Sequence, residues 1–210
     1  MPANQLPSGQ QSLDGFDEPP PLTDRLFFAL FPDRSAAQHI AQLGQELQQL
    51  HGLTGKLLRD DRFHITLHHI GDFAGMPQAV LSAACQAAAT LAEPAFEVVL
   101  DRAASFRGRP GKHPFVLGAD GQGNAALVDF HKALGTALLK AGIRATPGFT
   151  PHVTLLYGDP LVPQQAVTPI RWAAGEFVLV HSLLGKSVYT VMGRWPLTAQ
   201  AGPGTSLRGT

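Results

Sequence analysis

The sequence predicts an α+β fold built on a mainly antiparallel sheet, and three observations carry that expectation. Short apolar runs alternate with helical runs through the first half of the chain. Strand-like runs then follow one another with only short turns between them. A four-residue pattern, His-x-Thr-Leu, occurs once in each half, which indicates a coarse internal duplication. A doubly wound parallel sheet would need a helix between every pair of strands, and the late strand run has none.

Residues 25–31 (RLFFALF) form a short apolar run closed by Pro32, as expected of a buried strand. Over residues 35–50, Ala36, Ile40, Leu43, Leu47 and Leu50 recur at helical spacing, with Ser35 as candidate N-cap. Residues 64–70 (HITLHHI) read as a strand ended by Gly71-Asp72. The Ala-rich segment 78–91 reads as a helix. Residues 96–106 and 114–117 read as strands joined by the polar loop RGRPGKH. Residues 125–140 form an amphipathic helix with Leu127, Phe130, Leu134, Leu138 and Leu139 on one side and Gly142 just past its end. Strands are predicted at 150–157, 177–184 and 188–195, the last two joined by a hairpin at Gly185-Lys186. Residues 1–24 are rich in Pro, Gln, Gly, Ser and Asp, and residues 199–210 are similar, so both are expected to be flexible tails around a domain at 25–198.

Bulk properties narrow the function classes. The 210 residues are 44% hydrophobic, enough for a real core. With 16 basic and 16 acidic residues the formal charge is zero, which argues against a binder that works by neutralising many phosphates. A small enzyme that holds one phosphate at an RNA end remains compatible. The single cysteine, Cys85, excludes an intrachain disulfide and a Cys-based zinc site, and its Ala-rich setting points to a buried helix position. No run approaches the 18 or so apolar residues of a membrane span, and the N-terminus lacks a signal-peptide pattern. A soluble, cytoplasmic protein with no membrane association is the expectation, as a monomer with no obligate protein partner.

The chemistry rests on His64-Ile65-Thr66-Leu67 and His152-Val153-Thr154-Leu155. Side chains alternate across a strand, so each motif offers an imidazole and a hydroxyl on one face and two apolar anchors on the other. Two such strands side by side would gather two His and two Thr around one cleft. That set suits phosphodiester cleavage, in which a base deprotonates the attacking water while an acid protonates the departing oxygen. An unperturbed histidine pKa near 6.5 allows one copy to be neutral and the other charged at neutral pH. Threonine hydroxyls can donate to the non-bridging oxygens as charge builds there. A single His-x-Thr would be unremarkable in a strand, but this composition gives only about 0.07 chance copies of His-x-Thr-Leu, so a matched pair points to function.

The chain resembles the two-histidine phosphoesterases, in particular the bacterial RNA 2′,3′-cyclic phosphodiesterases also called 2′-5′ RNA ligases. The resemblance spans residues 25–198 and rests on RLFFALFP, FHITLHHIGD, FTPHVTLLYGD and LVHSLLGKSVYTVMGRWPL. It implies a bilobal fold, with two pseudo-symmetric lobes whose antiparallel sheets line a central cleft and whose helices lie outside. It implies His64 as the proton donor to the leaving 3′ oxygen, His152 as the base on water, and Thr66 and Thr154 as holders of the phosphate. The implied reaction opens an RNA 2′,3′-cyclic phosphate to a 2′-phosphomonoester, with possible reversal as 2′-5′ ligation. No cofactor and no metal are implied, and the partner is an RNA end or a small nucleotide. Two positions depart from the family pattern. Members often carry Arg four residues after the first motif histidine, where this chain has His68. Many carry Arg five residues after the second, where it has Tyr157.

Strict alternation puts His68 on the face of His64 and Thr66, as a possible substrate contact, and puts His69 and Tyr157 on the core face. His39 and His131 are expected on helix surfaces, and His181 as a satisfied strand residue. Arg107, Arg109, Lys112 and His113 are expected to form a solvated turn. Rival readings are a zinc hydrolase using His64, His68 and His152, a non-catalytic RNA-end binder, and a 2′-5′ oligonucleotide or cyclic-nucleotide phosphodiesterase. The zinc reading suffers because i and i+4 on a strand lie about 13 Å apart. The binder reading suffers because binding alone needs no matched acid and base.

Overall fold

A computed structural model describes residues 20–119, 122–186 and 188–198. The elements are β1 (Asp24–Leu30), α1 (Arg34–His51), β2 (Ile65–Phe73), α2 (Gln78–Ala89), β3 (Phe96–Ser105), β4 (His113–Gly118), α3 (Ala125–Lys140), β5 (His152–Gly158), β6 (Gln165–Ala174), β7 (Glu176–Leu183) and β8 (Val188–Pro196), with 3-10 turns at Asp60–Arg62 and Gln122–Asn124.

The strands form one sheet in the order β6-β3-β4-β5-β2-β1-β7-β8, and every named pair is antiparallel. It is α+β, and its two halves, β8-β7-β1-β2 and β5-β4-β3-β6, meet at a single residue pair, Ile65 with Val153. Each half contains a strand, a helix and a motif strand in that chain order, β1-α1-β2 and β4-α3-β5. The duplication read from the repeated motif is therefore a duplication of topology.

Several elements depart from expectation for local reasons. The N-cap of α1 is Asp33, whose Oδ1 accepts from the Ala36 N–H at 2.8 Å, so Ser35 lies inside the helix. At its other end Gly52 adopts φ 61°, the left-handed cap that glycine takes without strain. The Gly71-Asp72 pair does not stop β2, which continues to Phe73 because Asp72 pairs with Arg25 of β1. Leu139 is 60% exposed, and His131 takes the place expected of it on the buried side of α3. Cys85 is half-buried on α2 rather than fully buried. The strand β6 has no counterpart in the expectations. It is an outer strand with Pro169 inside it and only Ile170, Trp172 and Ala174 buried, a pattern too broken to read as a strand.

Residues 1–19 lie outside the described residues, but Asp24 opens β1 and Thr23 bonds to the Phe73 carbonyl and the Leu184 N–H. Residues 199–210 also lie outside them. The main core joins Phe28, Phe63, Phe115 and Phe177 to the apolar sides of the helices. A small second cluster, Phe27, Ala29, Val178 and Val180, lies on the other face of the sheet. No described helix is long and apolar enough to cross a membrane.

Candidate active site

The single pair joining the halves sets the geometry of the site. Ile65 and Val153 are both fully buried and face each other across antiparallel strands. One step either way, the register sets His64 across from Thr154 and Thr66 across from His152. All four line one cleft of about 680 Å³, together with Arg25, Phe27, Leu58, Arg62, His69, Tyr157, Ser182 and Tyr189. The four motif residues expected at the site are thus brought together.

Both histidines are held in the same way. The Nδ1 of His64 lies 2.7 Å from the Arg62 carbonyl, and that of His152 lies 2.8 Å from the Thr150 carbonyl, each two residues upstream. A carbonyl only accepts, so Nδ1 carries the proton and donates. This fixes the tautomer and leaves Nε2 as the ring atom for a substrate.

The surroundings of the two rings differ. Phe27, Phe31 and Tyr189 pack on His64 with ring centroids 5.1, 5.9 and 5.6 Å away. Burial among them pushes the His64 pKa below the ordinary histidine value, opposed by the Arg62 carbonyl and helped by the Arg62 charge and the nearby His152 ring. At His152 the aromatic partner is Phe106, edge-on at 5.0 Å.

Just past each threonine the strand bulges. Against β1, Thr66 pairs with Ala29 and His68 with the next residue, Phe28, so Leu67 is extra. Against β4, Thr154 pairs with Val116 and Leu156 with Phe115, so Leu155 is extra. One extra residue reverses the alternation beyond it. Three assignments by strict alternation are therefore corrected. His68 is 1% exposed and faces the core, not the site. His69 is exposed and lines the cleft, where its Nε2 meets Asp72 Oδ1 at 2.9 Å. Tyr157, 51% exposed, also lines the cleft rather than the core. Since His68 points away, His64, His68 and His152 do not converge, and no metal-holding group of three His, Cys, Asp or Glu occurs among the described residues.

His68 stacks on His131 at 4.0 Å, and His131 stacks on Phe149 at 4.1 Å. This corrects the surface placement of His131, which is 4% exposed. Burial holds its pKa down to about 4, and that of His68 is lowered for the same reason. His39 is exposed, as expected of a helix surface. His181 is satisfied, its Nε2 2.6 Å from Asp24 Oδ1. In the cationic loop, His113 Nδ1 accepts from the Gly108 N–H at 2.9 Å and closes the turn.

Cleft residues missed by sequence reasoning include Arg25, Arg62 and Tyr189. Arg25 grips Asp72 through Nε and Nη2, both at 2.7 Å, and holds that carboxyl well below its usual range. The Arg62 guanidinium carbon sits 3.2 Å from the Tyr189 ring centroid. Proximity to a motif could have flagged Arg62. Tyr189 enters from a strand 125 residues beyond His64, and no local pattern announces it.

A family model for the 2′-5′ RNA ligase superfamily matches residues 31–184. The chain belongs to that superfamily. Solved structures agree on the fold. The apo form of Escherichia coli LigT is 25% identical and covers 85% of this chain and 99% of its own, with a TM-score of 0.66. A structure described as a phosphoesterase is 25% identical, with coverage of 84% and 99% and a TM-score of 0.66. TT0787 of Thermus thermophilus, 22% identical over 84% and 99%, has a TM-score of 0.60. No curated protein matches the chain. The sheet of two duplicated halves is the LigT-like architecture of this superfamily.

Proposed function

We propose that this superfamily member hydrolyses RNA 2′,3′-cyclic phosphates to 2′-phosphomonoesters, without a metal, using His64 and His152 as acid and base. Membership makes a phosphodiesterase-type enzyme the coarse reading. The observation that carries the finer one is the paired motif geometry: two imidazoles with Nδ1 fixed on backbone carbonyls, set diagonally with two threonines about the Ile65–Val153 pair.

A cyclic phosphate seated between the strands would accept hydrogen bonds from the Thr66 and Thr154 hydroxyls on its non-bridging oxygens. His152 Nε2 takes a proton from water as the water oxygen bonds to phosphorus. The P–O3′ bond breaks, and His64 gives its Nε2 proton to O3′. Burial and Arg62 favour neutral His64 in the empty cleft. An arriving phosphodiester anion acts in the opposite sense and draws the proton that the acid step needs. E. coli LigT, 25–26% identical, has been crystallised with phosphate and with ATP, which fits a phosphate-binding cleft here.

The test is hydrolysis after exhaustive EDTA treatment, on cyclic-phosphate-ended RNA, nucleoside 2′,3′-cyclic monophosphates and 2′-5′-linked dinucleotides. The expected result is turnover of the cyclic ends to 2′-phosphates, undiminished by EDTA. Activity that vanished with EDTA and returned with zinc or manganese would overturn the metal-free mechanism. Turnover of the 2′-5′ dinucleotide alone would move the substrate to that linkage.

A further inference from the structure

Two tyrosines line the cleft, and their surroundings separate them. Tyr189 is committed. Its ring lies under the Arg62 guanidinium, 3.2 Å from carbon to centroid, and packs on Phe27 and His64 at 5.5 and 5.6 Å. Tyr157 has no such company. It is 51% exposed in the cleft, and none of the described aromatic rings or guanidinium groups stacks on it. A large flat apolar face is thus left open inside a cleft whose other groups are mostly polar.

The position of Tyr157 on β5 gives that open face a use. His152, Thr154 and, past the bulge at Leu155, Tyr157 all line the cleft, so one strand presents an imidazole, a hydroxyl and a flat ring in turn. From Thr154 to Tyr157 the chain runs at most about 10 Å, at about 3.3 Å per residue. A ribose and its base fill a stretch of that size when the phosphate sits at the threonine. Leu58 lines the cleft too, and its N–H donates to the Leu155 carbonyl at 2.7 Å, which sets an apolar side chain on the flank of the same strand. The backbone under the ring is stiff. A Cβ on Gly55 would lie 2.1 Å from the Tyr157 carbonyl oxygen, and the Thr54 N–H donates to the Asp159 carbonyl at 2.9 Å. Only two side-chain torsions remain to be fixed when a base arrives, so the ordering cost is low. Many family members carry Arg where this chain has Tyr157. Both side chains offer a plane that stacks on a base, but only Arg adds a charge. This chain keeps the plane and gives up the charge.

We propose that Tyr157 is the nucleobase platform of this cleft: the base of the nucleotide whose phosphate lies at Thr66 and Thr154 stacks on its exposed face. The ligand class is a ribonucleotide or RNA end with its terminal base intact. Every base has a π-face, so all four are accepted. Purines bind more tightly than pyrimidines, because a two-ring base covers more of the tyrosine. This assignment rests on the phosphodiesterase reading for the seat of the phosphate, and it is tested by binding rather than by turnover.

The experiment titrates the full chain calorimetrically with inorganic phosphate, 2′-AMP and 2′-CMP, the two nucleotides being products of the proposed reaction. The wild type should bind 2′-AMP more tightly than 2′-CMP. In Tyr157→Leu, 2′-AMP should bind about 10- to 100-fold more weakly, the loss of one base–aromatic stack, while inorganic phosphate binds as in the wild type. Tyr157→Phe keeps the plane and should hold 2′-AMP like the wild type. Tyr157→Arg should retain 2′-AMP and tighten phosphate, with both affinities falling more steeply as salt is added. Wild-type 2′-AMP affinity in Tyr157→Leu, or equal losses for 2′-AMP and phosphate, would overturn the proposal. Should Tyr157→Leu fail to fold, the wild type decides by NMR. The Tyr157 ring protons should shift upfield with 2′-AMP and stay in place with phosphate, and a ring unmoved by 2′-AMP would overturn the proposal equally. The two readings fail separately. A wild type that holds 2′-AMP through Tyr157 but turns over no cyclic phosphate sinks the activity alone. Turnover of cyclic phosphates with Tyr157-independent binding of 2′-AMP sinks this inference alone.

Discussion

The two halves of the sheet carry the same four-part device and put it in different surroundings. Each has a motif strand, an Nδ1 held by a carbonyl two residues upstream, a threonine two residues on and a bulge straight after it. Around His64 stand three aromatic rings and a guanidinium, whereas His152 meets one ring edge. The comparison teaches how a duplicated sequence can be set apart by its surroundings. Residue type and hydrogen bond are repeated, and under the proposed mechanism the division into acid and base would come from what is packed against each copy.

The largest expected effect removes the shared device. His64→Ala and His152→Ala should each lose about 10²–10⁴-fold in turnover of a cyclic-phosphate-ended RNA while keeping the wild-type melting temperature. The double variant should be little worse than either single one, because under the proposed mechanism both groups act in one transition state. Additive losses, or a single variant with near wild-type turnover, would break the acid–base pairing of the halves.

A second test addresses how each half braces its motif strand. Beyond His69, β2 is tied by the Arg25–Asp72 pair, a polar contact between side chains. Beyond Tyr157, β5 is braced backbone against backbone. A Cβ on Gly158 would lie 2.5 Å from the Gly55 nitrogen, and one on Gly55 only 2.1 Å from the Tyr157 carbonyl oxygen. Neither contact can yield as a flexible side chain would. Gly158→Ala should therefore cost about 1–3 kcal/mol in denaturant unfolding, the range for overpacking a close-packed site. Asp72→Asn should cost about 1 kcal/mol or less, as expected for a partly exposed ion pair. The reverse order would mean that β5 carries no tighter brace than β2.

Much of this comparison was legible in the sequence. The α+β class, the four motif residues and, among the described residues, the three helices and seven of the eight strands follow from periodicity and from the repeated His-x-Thr-Leu. The errors share one physical origin. Strict alternation cannot anticipate an extra residue, so the bulges at Leu67 and Leu155 sent His68, His69 and Tyr157 each to the wrong face. A bulge depends on the register with the neighbouring strand, and a single strand's sequence does not contain that register. Arg62 and Tyr189 escaped for a related reason, since a stack between residues so distant in the chain is a tertiary fact. His131 was misread because its burial depends on His68 turning inward to meet it.

That inward turn is where the halves differ again, and it gives the smallest effect. Behind β5 the corresponding position is Leu156, fully buried and indifferent to pH. Behind β2 it is His68, whose Nε2–H donates to the His131 carbonyl at 2.9 Å while the two rings stack. Neither His68 Nδ1 nor His131 Nε2 has a hydrogen-bond partner, so the pair is stable only when uncharged. The sign follows from the lowered pKa values. A histidine held to about 4 in the folded protein and ordinary when unfolded binds protons preferentially in the unfolded state as pH falls. Its stability is complete above the ordinary histidine range and is lost progressively on the way down to about 4. His131→Leu keeps the backbone carbonyl that His68 needs and removes one titrating ring. The fall in melting temperature between about pH 7 and pH 5 should be smaller in this variant by about 2–4 °C, near 1 kcal/mol for a domain of this size. An unchanged fall would mean that the stacked pair does not sense pH, and the back of β2 would then be as inert as the back of β5.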